Sequence, residues 1–183
     1  MAIVPYIPSP MKVVKEALYT VSIGENDVLY DLGAGDGRVV IEAAKQGAYA
    51  IAVEIDPYLC EVIRKKALEE GVADRVSVIE ASFFDIDLSN ATVVYVYLYK
   101  SINDILKEKF EKELPIGTRI ITIDFPIPSW VPLAVRHTLD EKGIPRTIHI
   151  YIKGISNPLA RTKKTLVIDY KFIARKIKCI RSL

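Results

Sequence analysis

A chain of 183 residues, half of them hydrophobic, has the size of one domain and can bury roughly 70% of the surface its unfolded form exposes. Its apolar residues fall in short runs, none near the about 20 uninterrupted positions of a membrane span. Cys60 and Cys179 stand far apart, and His137 and His149 lack partners at ligand spacing, so a reduced cysteine pair and no metal site are expected. The net charge of +2 is uneven: residues 153–183 carry nine Lys/Arg against one acid, leaving 16 basic and 22 acidic residues in positions 1–152. That basic stretch reads either as a solvated final element or as a contact for nucleic acid, an acidic protein or an anionic surface. The opening MAIVPYIPSP has prolines and no basic residue ahead of an apolar run, unlike a secretory signal, and a cytoplasmic location is the expectation.

Short β-branched runs alternate with segments of helical period, the pattern of a mostly parallel α/β sheet. Ser9-Pro10 reads as an N-cap followed by proline at the first helical position, with Val13, Val14, Ala17, Leu18 and Val21 as the apolar stripe. Val28–Leu32 is the first strand, followed by a helix from near Asp36 to Gly47, and Ala50–Glu54 is the second. Asp56-Pro57 caps a helix that Gly71 ends, and Val76–Glu80 and Thr92–Tyr97 are strands three and four. A helix runs from Ser101 to Pro115, Arg119–Ile123 is the fifth strand, and a proline-rich loop through Trp130 leads to strands at Leu133–Thr138 and Thr147–Lys153, placed as a final antiparallel pair. The last thirty residues alternate like a strand at Leu166, Ile168, Tyr170 and Phe172, yet recur like a helix at Leu166, Tyr170, Ile173, Ile177 and Ile180.

The chemistry concentrates in Tyr30-Asp31-Leu32-Gly33-Ala34-Gly35-Asp36-Gly37-Arg38, where the first strand turns into a helix. Its glycines allow a tight turn and close approach of a ligand to the backbone. The G-x-G-x-G spacing is not the G-x-G-x-x-G of dinucleotide folds, and no Gly-Lys-Ser/Thr follows. A pyrophosphate would meet the carboxylates of Asp31 and Asp36, whereas S-adenosylmethionine brings an ammonium and a sulfonium that they favour. Glu54, at the end of the second strand, has the position to accept hydrogen bonds from both ribose hydroxyls, with Ile55 against the adenine face. After the third strand, Ser82 and Phe83 can read and pack the adenine ring, or can serve as ordinary packing residues.

On these residues the chain resembles the seven-stranded, Rossmann-like class of S-adenosylmethionine-dependent methyltransferases. Within that class it is similar to the small archaeal protein-lysine methyltransferases related to nucleosomal histone-lysine methyltransferases. The resemblance covers about residues 4–153 and rests on Val4-Pro5-Tyr6-Ile7-Pro8-Ser9-Pro10, Tyr30–Arg38, Val53–Ile55, Ser82–Asp87, Ala91–Val94 and Lys112–Thr118. It implies a methyltransferase domain over 1–153 with helices on both sheet faces, and a basic extension over 154–183. It also implies that Tyr6, Pro8 and Ser9 cover the methionine end of the cofactor, that Asp31, Gly33, Ala34, Gly35, Asp36 and Gly37 hold it, and that Glu54, Ile55, Ser82 and Phe83 take the adenosine. Ser82 stands where relatives carry an acid or amide. Tyr97-Leu98-Tyr99-Lys100-Ser101 replaces a less aromatic run and lacks the Asn-Phe-Ala-Phe signature of the histone enzymes.

In-line methyl transfer to lysine needs orientation more than a dedicated base. Bringing a lysine of pKa about 10.4 to neutrality costs about 4.6 kcal/mol, part of which desolvation and the adjacent sulfonium supply. Tyr97, Leu98, Tyr99, Asp124 and Phe125 are the candidates for the substrate channel, with plain aromatic packing as the competing explanation. The expected partner is a protein with accessible lysines, nucleic-acid-binding proteins among them, and the expected form is a monomer. An RNA methyltransferase, favoured by the basic stretch 153–183, and a non-catalytic S-adenosylmethionine-binding module are the alternatives. Asp/Asn-Pro-Pro-Tyr/Phe after the fourth strand and a Pro-Cys nucleophile are both absent.

Overall fold

The β-branched runs pair as one seven-stranded sheet in a computed structural model that describes residues 7–157. Tyr6, Cys179 and the strand-or-helix question over Leu166–Ile180 lie outside those residues. The elements are α1 (Met11–Thr20), β1 (Val28–Leu32), α2 (Arg38–Lys45), β2 (Tyr49–Glu54), α3 (Pro57–Glu69), β3 (Val76–Glu80), β4 (Val93–Val96), α4 (Lys100–Glu113), β5 (Arg119–Ile123), β6 (Ala134–Leu139) and β7 (Pro145–Ile152). The sheet order is β3-β2-β1-β4-β5-β7-β6. The first five strands are parallel, while β7 runs antiparallel to both β5 and β6. Strand order therefore reverses between β1 and β4, where an open sheet leaves a crevice beyond its carboxyl ends.

Burial on both faces explains the continuous apolar character of the central strands. On one face, Val13, Leu18, Val40, Ala43 and Ile63 of α1, α2 and α3 pack with Leu29, Tyr95 and Ile121. On the other, Leu106 and Phe110 of α4 pack with Leu32, Val94, Val96, Ile120 and Tyr151. Among the described residues no helix is long and apolar enough to cross a membrane.

The amino-terminal ends of β1, β4 and β5 are laced by buried polar groups. Arg119 donates to Asp27 and to the Val21 carbonyl. The Thr92 hydroxyl donates to Asp27 at 2.8 Å and accepts from the Val28 amide at 2.9 Å. This ties three strands at the end of the sheet opposite the crevice.

Two helix starts differ from the sequence expectation. Ser9 is not the N-cap of α1; Pro10 occupies that position, without a side-chain cap. The reason is Arg38, which donates to the Ser9 carbonyl at 2.9 Å and draws this segment over the glycine turn. α2 starts at Arg38 rather than near Asp36, because Gly37 is its left-handed N-cap at φ 79°. Asp56 caps α3 as expected, accepting from the Tyr58 amide at 2.9 Å.

Lys153, counted by charge with the basic extension, is buried: its ammonium donates to the Glu111 carbonyl at 2.7 Å and lies 5.8 Å from the Trp130 ring centroid. Residues 154–157 continue the packed body. Asn157 accepts from the Gly154 amide at 2.8 Å, and the Ser156 hydroxyl accepts from the Ile152 amide at 3.1 Å.

Gly37 is needed twice over. Its φ is left-handed, and an added Cβ would come within 2.8 Å of the Ile63 side chain, which is wholly buried. Gly71 has a similar φ of 68° with open space around it. Urea denaturation of Gly37→Ala is expected to show a loss of about 2–4 kcal/mol. Gly71→Ala should lose only about 1–2 kcal/mol; equal losses would contradict the close packing of the turn on α3.

Candidate active site

The crevice beyond β1 and β4 holds three carboxylates with three different sets of partners. Asp36 is bound by its surroundings: Arg38 donates to it from Nε at 2.9 Å and Nη2 at 2.8 Å, and Lys66 of α3 donates at 2.8 Å. Burial opposes its ionisation, but hydrogen bonds and charge from Arg38 and Lys66 hold its pKa far below the ordinary carboxylate value. Glu54 is bound by amides, with Oε2 accepting from Gly35 at 2.8 Å and Oε1 from Ile55 at 2.8 Å and Asp56 at 3.0 Å. Two carboxylate oxygens offer about four acceptor positions, so this grip leaves one free.

Asp31 is only 3% exposed, and its carboxyl accepts no hydrogen bond from any described residue. Burial first, then the Glu54 and Asp36 charges, push its pKa well above the ordinary range. A buried carboxyl with no cation is unfavourable to the ligand-free protein and favourable to a cationic ligand. Of the acids the sequence assigned to the cofactor, the structure thus leaves Asp31 open and gives Asp36 to Arg38 and Lys66.

Around these groups the expected residues converge. Pro8, Ser9, Asp31, Gly33, Ala34, Asp36, Arg38 and Tyr97 line one crevice. The amides of Gly33 and Ala34 donate to the Val53 carbonyl at 2.9 and 3.1 Å, which folds the turn against β2. Gly33 sits at φ 86°, and a Cβ there would lie 3.3 Å from Leu98, so this glycine lets the β4 end close over the turn. Ile55, 56% exposed directly after Glu54, offers an apolar platform. The Ala81 amide donates to the Glu54 carbonyl at 3.0 Å, and the Phe83 ring lies 4.6 Å from that of Phe84, tilted by 59°, while packing on the core. The Ser82 hydroxyl accepts from the Phe84 amide at 3.3 Å, shaping this loop.

The ends of β4 and β5 form the other wall. Tyr99 and Phe125 lie 6.4 Å apart and are both partly exposed. Asp124 takes a left-handed φ of 62°, a conformation Asp tolerates better than most residues. Its Oδ2 accepts from Arg146 at 2.8 Å and its Oδ1 from the Thr147 amide at 3.0 Å. Tyr97 accepts from the same guanidinium at 3.0 Å. Burial and Asp124 raise the Tyr97 phenol pKa, with Arg146 working against them.

Arg146 and Asn103 were not expected from the sequence. Asn103 is buried and donates to the Phe125 carbonyl at 2.9 Å, fixing the loop after β5 to α4. The sequence places a strand from Thr147, one residue past Arg146; only the antiparallel register of β7 brings that residue to the carboxyl ends of β4 and β5.

Comparison with known proteins agrees with this geometry. The family model of the ANTKMT methyltransferase domain matches residues 31–134. A protein-lysine N-methyltransferase of Saccharolobus islandicus is 38% identical over 153 residues, which are 82% of this chain and 94% of that protein. An adenine nucleotide translocase lysine N-methyltransferase of Mus musculus is 32% identical over 72% of this chain, which spans 58% of that protein. Among solved structures, an RNA methyltransferase from Salinibacter ruber in complex with S-adenosyl-L-homocysteine superposes with a TM-score of 0.74 at 37% identity, over 89% of this chain and 99% of that one. With the β1 glycine turn, the reversal of strand order and the strand-end carboxylates in place, the chain belongs to the ANTKMT methyltransferase-domain family of S-adenosylmethionine-dependent methyltransferases.

Proposed function

We propose that this enzyme methylates the side-chain nitrogen of lysine in a protein substrate. The observation that carries the reading is the acceptor wall: Tyr97, Tyr99 and Phe125 enclose it, and Asp124, the carboxylate beside them, is already paired to Arg146. Such a wall desolvates an incoming side chain without offering its ammonium a free counter-ion, and both effects favour the neutral amine. The names of the Saccharolobus and mouse relatives support the same acceptor.

When bound, S-adenosylmethionine supplies an electrophilic methyl whose bonding electron pair stays with sulfur. The rest of the work falls to this chain. Asp31 would receive the methionine ammonium, Glu54 one ribose hydroxyl at its remaining acceptor position, and Ile55 with Phe83 the adenine faces. Ser9 and Pro8 would close over the methionine end, held there by Arg38. The lysine ammonium first gives its proton to water; the amine lone pair then forms the new carbon–nitrogen bond as the carbon–sulfur bond breaks, and the product is a methylammonium.

One finding favours a second reading, transfer to RNA: the 37%-identical Salinibacter protein is described as an RNA methyltransferase. The two separate in one experiment with radiolabelled cofactor, unfractionated core histones and total RNA. Label in histone that hydrolyses to methyl-lysine is the expected result; label confined to RNA would sink the lysine reading.

Glu54→Ala removes the acceptor proposed for the ribose, and cofactor affinity measured by calorimetry is expected to fall by roughly tenfold or more, the scale of a charged hydrogen bond. Unchanged affinity would remove Glu54 from the site.

Asp31 gives a stability prediction with a definite sign. Its folded-state pKa lies above the unfolded value, so its ionisation destabilises the ligand-free fold as pH rises from about 4 through the folded pKa. Without cofactor, Asp31→Asn is expected to melt above the wild type at neutral pH, with the difference vanishing near pH 4, and to bind cofactor more weakly. A variant less stable than the wild type at neutral pH would contradict this account.

A further inference from the structure

We propose that Arg146 is a positioning residue for methyl transfer: its guanidinium cancels the charge of Asp124 and fixes the Tyr97 hydroxyl, so that the acceptor lysine is held as a neutral amine. The inference rests on the lysine reading above and deepens it.

Three elements deliver the cluster. Tyr97 follows β4, Asp124 follows β5, and Arg146 enters from β7, which runs the opposite way. One nitrogen, Nη1, donates to both Asp124 at 2.8 Å and Tyr97 at 3.0 Å, and the guanidinium carbon lies 6.0 Å from the Tyr97 ring centroid. From its other side, Nε donates to Asp140 at 3.2 Å. Asp140 is itself held by the amides of Lys142 and Ile144, each at 2.9 Å, so it orients the guanidinium from behind. Other ionisable groups near the cluster are Asp31 of β1, the paired Asp36 and Arg38 that share the crevice with Tyr97, Tyr95 of β4, His137 of β6 and His149 of β7. Burial lowers the His149 pKa, so that ring carries no charge in alkaline solution.

The chemical consequence follows from charge. An uncompensated carboxylate about 4–6 Å from an amine favours the ammonium by roughly one to three pKa units. An ammonium has no lone pair, so a free Asp124 would bind lysine tightly in the unreactive form. Pairing Asp124 with Arg146 removes that trap. A phenol oxygen that accepts from Arg146 still has one acceptor position, enough to take one N–H of the amine and turn its lone pair toward the methyl group.

The test is the pH dependence of kcat, which reports ionisations in the enzyme–substrate complex, with unfractionated core histones as probe, for the wild type, Arg146→Met and the double variant Arg146→Met/Asp124→Asn. Arg146→Met is expected to move the profile toward alkaline pH by roughly one to two units, with cofactor affinity within about twofold of wild type. The double variant, lacking the exposed charge, should return it. An unmoved profile that is merely scaled down, or a double variant that stays with the single one, would overturn the proposal. Should Arg146→Met fail to fold, Arg146→Lys serves instead: it keeps the charge and loses the fork, so it should lose rate and retain the midpoint, and a shifted midpoint would overturn the proposal. Wild-type transfer to RNA, or to none of the histones, would overturn the acceptor reading and this inference with it. Transfer to histone lysine with an unmoved Arg146→Met profile overturns the inference alone.

Discussion

The structure turns on an unequal division of partners among three carboxylates at the ends of β1 and β2. Asp36 has two cations and Glu54 has three backbone amides, but Asp31, the most buried of them, has no donor among the described residues. Asp36 serves the fold by pinning the turn to α3 and α2, while Glu54 joins the turn to the end of β2 and keeps one acceptor position for a ligand. Asp31 is carried at a cost to the ligand-free protein, and a cationic ligand relieves that cost. Sites of binding are where a fold tolerates such an unpaired group.

The two ends of the sheet divide the remaining work. At the amino-terminal ends of the parallel strands, Arg119, Asp27 and Thr92 satisfy one another and join β1, β4 and β5. At the carboxyl ends the chain makes turns that must stay open to ligands, and there it uses glycines, the left-handed Asp124 and side chains from α4 and β7 to hold them. Breaking a buried ion pair by removing one partner is strongly destabilising, so the network at the amino-terminal ends anchors the strands whose other ends carry the site. The antiparallel β7 is the means by which a cation from late in the chain reaches this acceptor wall.

Sequence periodicity located every strand and α-helix of residues 7–157 to within a few positions, because β-branched runs and capping residues act locally; the short 3-10 turn at Ala73–Arg75 went unread. The cofactor side was also legible, since the glycine turn and Glu54 lie on consecutive strand ends, where order along the chain mirrors order in space. Several features escaped, Asn103 and its bond to the Phe125 carbonyl among them. Ser9 looked like a cap because its proline neighbour fits one, but Arg38 from a distant turn takes its carbonyl. Lys153 ends the last strand as read from the sequence, but its charge was counted with the basic stretch, whereas Trp130 and the Glu111 carbonyl bury it. Arg146 meets Asp124 and Tyr97 through strand register, and no local pattern encodes the register of β7, which pairs with β5 although β6 intervenes in the chain. Asp31 and Asp36 read alike in sequence; only the side chains that reach them distinguish the open carboxylate from the paired one.

The most direct measurement is a proton inventory of S-adenosylmethionine binding by calorimetry in buffers of different ionisation heat. It is best made at about pH 5–6, where the ligand's own ammonium is fully protonated. A buried Asp31 whose pKa is raised in the ligand-free protein and falls when a cation binds requires protons to be released to the buffer on binding, in amounts that grow as the pH falls, and no such release from Asp31→Asn. Binding without proton release, or with equal release from the variant, would contradict the account.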